Sequence, residues 1–218
     1  MTRATSNLIV RYVVCFAGIV TMALGVALTT RAYLGTTPLS ALPFVASLGF
    51  APSLGFFTGV FNVLMVALQV LILRKQFPRL QYLQIPVSCL FGLFIDAWMA
   101  VLPPFGTQPY AIKLLLLAAG TVAMALGIFV EVGADVVMMA GDGAVKALSQ
   151  LSGKDFSTVK IYFDATLAVL GISLSLLLFS EIRGIGEGTI VSAIFVGTCL
   201  KLLHALRRRL VGIPETVR

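Results

Sequence analysis

A chain of 218 residues that is 59% hydrophobic and only 11% charged, with a mean hydropathy of +1.02, has too little polar surface to enclose its apolar side chains. Soluble domains carry about 25% charged residues, so the composition excludes a soluble enzyme, a nucleic-acid-binding module, a coiled coil and a disordered regulator. The formal charge of +7 fits Lys and Arg gathered on the cytoplasmic side of a membrane protein, with the lipid bilayer as partner and no nucleic acid.

Crossing about 30 Å of hydrocarbon takes about 20 apolar residues. The first such stretch, Leu8–Leu28, follows Arg3 and Arg11 like a signal peptide, but it lacks an A-x-A site and reads as a retained span. Next comes a segment too short to cross, a half-helix at 38–48: Thr37 can cap it, Pro38 suits its first turn and Gly49 its end. The second span, Leu54–Leu73, opens with Gly55-x-x-x-Gly59, a close-packing face for another helix. A basic turn, Arg74 to Arg79, leads to the third span, Tyr82–Leu102, with Asp96 and Trp98 near its outer end. Pro103, Pro104 and Gly106 break the chain before the fourth span, Tyr110–Val132. Glu131 and Asp135 at its inner end read as interfacial acids or partners for Lys146. A second half-helix at 142–151 has Asp142 to cap it and Gly153 to stop it, and the fifth span, Phe156–Phe179, follows. The glycines of Gly184-Ile185-Gly186-Glu187-Gly188 make a flexible turn into the sixth span, Thr189–Leu206, and a basic cytoplasmic tail covers 207–218.

With the N-terminus in the cytoplasm, every Lys and Arg except Arg31, Lys113 and Arg183 falls inside, which predicts cytoplasmic N- and C-termini. Cys15, Cys89 and Cys199 lie in apolar runs without a CxxC pair and read as packing residues. His204, the single histidine, sits beside the basic end at a helix terminus. With no HExxH, catalytic carboxylate pair or thiol cluster, no enzyme activity, cofactor or metal is expected.

The chain also matches itself at an offset of 102: Ala17, Gly18, Val20, Met22, Ala23, Leu24 and Gly25 recur as Ala119, Gly120, Val122, Met124, Ala125, Leu126 and Gly127. Near the end of each half the register slips by three, setting Gly92 against Gly197. Two repeats, 1–109 and 110–206, then hold three spans and a half-helix each. Because three is odd, the second copy crosses in the opposite sense, so the predicted fold is all-α: six transmembrane helices in two inverted three-helix repeats. Half-helices entering from opposite faces would aim their N-terminal dipoles at a shared polar site; the alternative is a pair of amphipathic helices lying flat in the interface.

Ionisable groups in lipid need partners or water. Asp164 in the fifth span has Lys160 four residues before it on the same face, either as a substrate or coupling group or as a structural ion pair. Asn62 holds the corresponding place in the first repeat and Gln69 follows seven residues later; both amides suit interhelical hydrogen bonding.

Leu34-Gly35-Thr36-Thr37-Pro38-Leu39, then Gln84-Ile85-Pro86-Val87-Ser88 with Phe91-Gly92-x-Phe94-Ile95-Asp96, then Gly141-Asp142-Gly143 and Lys160-x-x-Phe163-Asp164, resemble the YczE/YitT-like bacterial membrane proteins over nearly the whole chain. The resemblance implies a multi-pass protein of the bacterial inner membrane, from a group sometimes encoded beside pyridoxal-phosphate-dependent regulators, and hence a vitamin, an amino acid or a related metabolite as cargo. This chain departs from many relatives in carrying Asp142 in place of Glu, and from some in carrying Leu39-Ser40 in place of Trp-Asp.

The function expected is a small-molecule permease. Thr36, Thr37, Ser40 and Asn62 line its site from the first repeat and Asp142, Lys160 and Asp164 from the second, around a small anionic or zwitterionic metabolite. The rivals are a non-catalytic accessory or scaffold protein and a passive channel; a homo-oligomer is compatible with each.

Overall fold

The computed structural model describes residues 8–211, except for the side chains of Ser157, His204 and residues 207–211. Of the basic tail expected at 207–218, residues 207–211 continue the last helix; 212–218, Arg3 and the side chain of His204 lie outside that description. Among the described residues there are eight α-helices and no strand: α1 (Leu8–Arg31), α2 (Pro38–Gly49), α3 (Leu54–Leu73), α4 (Gln84–Val101), α5 (Tyr110–Ala134), α6 (Ala140–Ser152), α7 (Phe156–Phe179) and α8 (Glu187–Val211). Two 3-10 turns, Arg74–Gln76 and Arg79–Leu83, carry the chain from α3 to α4.

Five stretches are long and apolar enough to cross a membrane: Leu8–Arg31, Leu54–Gln76, Arg79–Val101, Tyr110–Ala134 and Thr158–Phe179. The sixth expected span falls within α8, whose far end carries side chains outside the description. Large apolar side chains stand on the outer surface, with Leu177 82% and Leu71 72% exposed. Water would oppose such a surface and lipid accepts it. The molecule is an all-helical, polytopic membrane protein.

Small residues decide how its helices meet. A Cβ on Gly18 would stand 2.9 Å from the Gly127 carbonyl oxygen, and one on Gly25 would stand 2.7 Å from that of Gly120. Rising numbers in α1 meet falling numbers in α5, so these two helices run antiparallel. The offset of 102 carries Gly18 to Gly120 and Gly25 to Gly127, so each glycine contact maps onto the other. Arg11 continues the same seam, donating to the Ala134 carbonyl and pairing with Asp135.

The offset relates other contacts as well. Gly171 of α7 approaches Ala41 of α2, and Gly143 of α6 approaches Gln69 of α3; adding or subtracting 102 exchanges the two pairs. At the helix level, α2 packs on α7 as α6 packs on α3, and α1 packs on α4 as α5 packs on α8. The correspondence lapses at the contact between α3 and α4. There Gly55 and Gly92 bring α3 and α4 into backbone contact, so the Gly55-x-x-x-Gly59 face is filled within the chain, whereas Gly197 has open space around it.

Both short helices keep their N-terminal ends inside and their C-terminal ends exposed. In α2, Pro38, Ser40 and Ala41 are buried while Leu48 and Phe50 are exposed; in α6, Ala140, Gly141 and Gly143 are buried while Leu151 is exposed. Pro38 sits in the first turn of α2 and Gly153 ends α6 with a left-handed backbone, φ +68°. Glycines also seat the last connection. Gly188 donates to the Leu34 carbonyl at 2.7 Å, and a Cβ on Gly186 would stand 2.7 Å from the same oxygen.

Candidate functional site

The two short helices, α2 and α6, meet at their N-terminal ends. The Leu39 side chain would touch a Cβ on Gly141 at 2.7 Å, and these are equivalent positions under the offset of 102. Free amides and positive dipole ends are therefore brought together from two helices.

Two polar sets flank this junction. Around α2, the Thr30 and Thr36 hydroxyls share a hydrogen bond of 3.2 Å, and the Thr37 hydroxyl donates to the Ser40 oxygen at 3.1 Å. Thr36, Thr37 and Ser40 are all buried. Thr37 holds the N-cap position of α2, but its side chain makes no capping bond and donates to Ser40 instead. On the adjoining α3, Asn62 is 2% exposed and its Oδ1 has no hydrogen-bond partner. Ser88 on the facing α4 is likewise buried with its hydroxyl unpartnered. Buried unsatisfied polar atoms cost roughly 1–3 kcal/mol each, so a pair of them on facing helices marks a place that a ligand or water can relieve.

Around α6 the corresponding set is ionic. Lys160 Nζ lies 3.2 Å from Asp142 Oδ1 and 3.2 Å from Asp164 Oδ1, linking α7 to the first turn of α6. The capping role expected of Asp142 is thereby corrected. The N-cap of α6 is Met139, and the Asp142 carboxylate is drawn to Lys160 instead. Glu131, expected as an interfacial acid or a partner for Lys146, is 2% exposed and lies within electrostatic reach of the Asp142 carboxylate. Lys146, its expected partner, is exposed, and Asp135 pairs with Arg11.

Subtracting 102 from Glu131, Asp142, Lys160 and Asp164 gives Thr29, Ser40, Thr58 and Asn62. All four of these are buried and uncharged. The same scaffold thus carries one neutral and one ionic polar set, the latter with two carboxylates on one ammonium and Glu131 within electrostatic reach of Asp142. The sequence reading missed Glu131 as part of this set, although the offset already placed it opposite Thr29.

Gln69 behaves as expected of an interhelical link. Its Nε2 donates to Gln84 Oε1 at 2.8 Å and to the Ala140 carbonyl at 3.0 Å, and Gln84 Nε2 donates onward to Gln81 Oε1 at 2.5 Å. Asp96 has a role its sequence position did not disclose. It accepts from the Ser53 hydroxyl at 2.5 Å and the Gly55 amide at 2.8 Å, closing the N-terminus of α3. No group of three or more His, Cys, Asp or Glu suited to a metal occurs among the described residues.

The family described as "Family of unknown function (DUF6198)" matches residues 9–205. This chain belongs to that family. Among curated proteins it is similar to the "Uncharacterized membrane protein YczE" of Bacillus subtilis (strain 168), with 27% identity over 222 residues covering 96% of this chain and 97% of the relative. That match agrees with the YczE-like motifs of the sequence. No solved structure matches. The relative is described as a membrane protein, and neither description names a cargo.

Proposed function

We propose that this DUF6198 protein is a small-molecule permease of the bacterial inner membrane, without enzyme activity, built from two inverted repeats (1–109 and 110–206) with cytoplasmic termini. The observation that carries the proposal is the meeting of the two half-helix N-termini at Leu39 and Gly141. Irregular backbone and free helix ends at membrane depth are tolerated where protein or a polar path surrounds them. Paired half-helix termini at a repeat interface are a recurring transporter design, because their dipoles can hold an anionic group.

In this reading Thr36, Thr37, Ser40 and Asn62 contact the cargo from the neutral side. Asp142, Lys160 and Asp164 form the ionic side. Lys160, equidistant from two carboxylates, can favour either as the halves move, and a cargo carboxylate can compete with Asp142 for it. The antiparallel α1–α5 seam supplies a glycine-lined surface between the halves.

The test is a thermal-shift screen of the purified protein against vitamins, amino acids, nucleobases and organic acids, followed by uptake of any hit into proteoliposomes. A cargo at about 100 times its Kd adds roughly 2.7 kcal/mol to the folded state. Asp164→Asn should abolish both the shift and the uptake while the protein remains folded. Binding without uptake, or no hit with Asp164→Asn merely less stable, would favour an accessory protein. Uptake that never saturates would favour a channel.

A further inference from the structure

A cavity of about 540 Å3 opens between the last turn of α1, the outer half of α2, the start of α3 and the end of α4. It lies apart from the ionic set around α6, since neither Asp142, Lys160 nor Asp164 lines it. Arg31 and Asp96 do line it, together with Phe44, Leu48, Leu54 and Met99. It thus combines one cation, one anion and an apolar wall.

Neither charge is matched by the other. Arg31 donates from Nη2 to the Met99 carbonyl at 2.5 Å, its Nε is buried without a partner, and among the described residues it pairs with no carboxylate. A guanidinium has five donors, so the groups left over can still take a carboxylate. Asp96 spends one lone pair on Ser53 and one on Gly55. A carboxylate offers about four acceptor sites, so Asp96 retains capacity for a cation. Two opposite charges facing one cavity without an ion pair between them suit a ligand that carries both.

We propose that this cavity binds a small zwitterion with an apolar tail, its carboxylate on Arg31, its ammonium on Asp96, and its tail against Phe44, Leu48 and Met99. Each end would gain a charge-assisted hydrogen bond in a partly desolvated site. The proposal rests on the cavity alone and requires no transport.

The probe is L-leucine, titrated calorimetrically into the purified protein in detergent. Its two half-analogues, 4-methylpentanoate without the ammonium and 3-methylbutylamine without the carboxylate, are titrated in parallel. Leucine should bind saturably with a Kd of about 1 mM or tighter. Each half-analogue should bind at least about tenfold more weakly. Arg31→Gln should weaken leucine by a similar factor and leave 3-methylbutylamine unchanged; Asp96→Asn, which keeps an acceptor for the Gly55 amide, should weaken leucine and leave 4-methylpentanoate unchanged. Arg31→Lys serves in place of Arg31→Gln if the latter does not fold. Absence of saturable leucine binding, equal affinity for the half-analogues, or insensitivity to both substitutions would overturn the assignment. Saturable binding of O-phosphoethanolamine with leucine inert would also overturn it, giving the cavity to a lipid headgroup. Asp164→Asn should leave leucine binding here intact, so this proposal and the permease reading fail separately.

Discussion

Replacing Gly25 by Ala tests whether the α1–α5 seam holds the molecule together. A methyl there would stand 2.6 Å from Met124 N, 2.7 Å from the Gly120 carbonyl oxygen and 2.8 Å from Met124 Cβ. Ordinary contact begins near 3.4 Å, so the helices must separate by several tenths of an ångström or more. Two of the three obstacles are backbone atoms, which cannot turn aside as a side chain would. Overpacking of this kind costs about 1–3 kcal/mol, while the better helix propensity of Ala returns up to about 1 kcal/mol. Three contacts below 3 Å put the cost in the upper part of that range, so the balance is a net loss of about 1–2 kcal/mol. Gly120→Ala, blocked by Thr29 N at 2.8 Å and the Gly25 carbonyl at 2.9 Å, should lose a similar amount. Since both methyls push on one crossing, the double variant should lose less than the sum of the two. Gly197→Ala is the control: nothing lies within 4 Å of its Cβ, so it should be neutral or stabilising. Reversible unfolding in detergent reads all four variants. Gly25→Ala equal to or more stable than wild type, or additive losses in the double variant, would refute a seam set by close glycine contact.

Lys160→Met leaves Asp142 and Asp164 facing each other without their shared ammonium; because all three side chains keep 20–30% exposure, the loss should fall at or below the low end of about 3–5 kcal/mol, and adding Asp164→Asn should recover part of it in the same unfolding assay. Gln69→Leu removes the donor to Gln84 Oε1 and a donor to the Ala140 carbonyl and should cost about 1–3 kcal/mol, with faster hydrogen exchange at the start of α6; unchanged exchange would rule the link out. Asp155 accepts from the Thr158 amide and hydroxyl at the N-terminus of α7, which holds its carboxyl below the ordinary 3.8. Its folded-state pKa is depressed, so its stabilising effect is present above pH 3.8 and fades as pH falls through the lowered value. The melting difference between wild type and Asp155→Ala should therefore be constant near neutrality and disappear in strong acid. A difference that persists there would contradict the carboxylate cap.

Hydropathy and turn chemistry alone determined the helices of this DUF6198 protein: α3 and α7 begin and end where the apolar runs do, and Pro38 and Gly153 mark the short helices. That is legible because a helix satisfies its own backbone, and in lipid apolar length sets its extent. The repeated glycine spacing at an offset of 102 likewise lay in the sequence. Tertiary structure decided which groups meet. Asp96 closes a helix that begins more than 40 residues earlier, Asp142 abandons capping for Lys160, and Glu131 is buried within electrostatic reach of Asp142. Arg31 and Asp96 come to share a cavity only when α1 and α4 are packed side by side. Local pattern cannot report such partners, since the free energy of a charge in lipid depends on neighbours brought from distant parts of the chain.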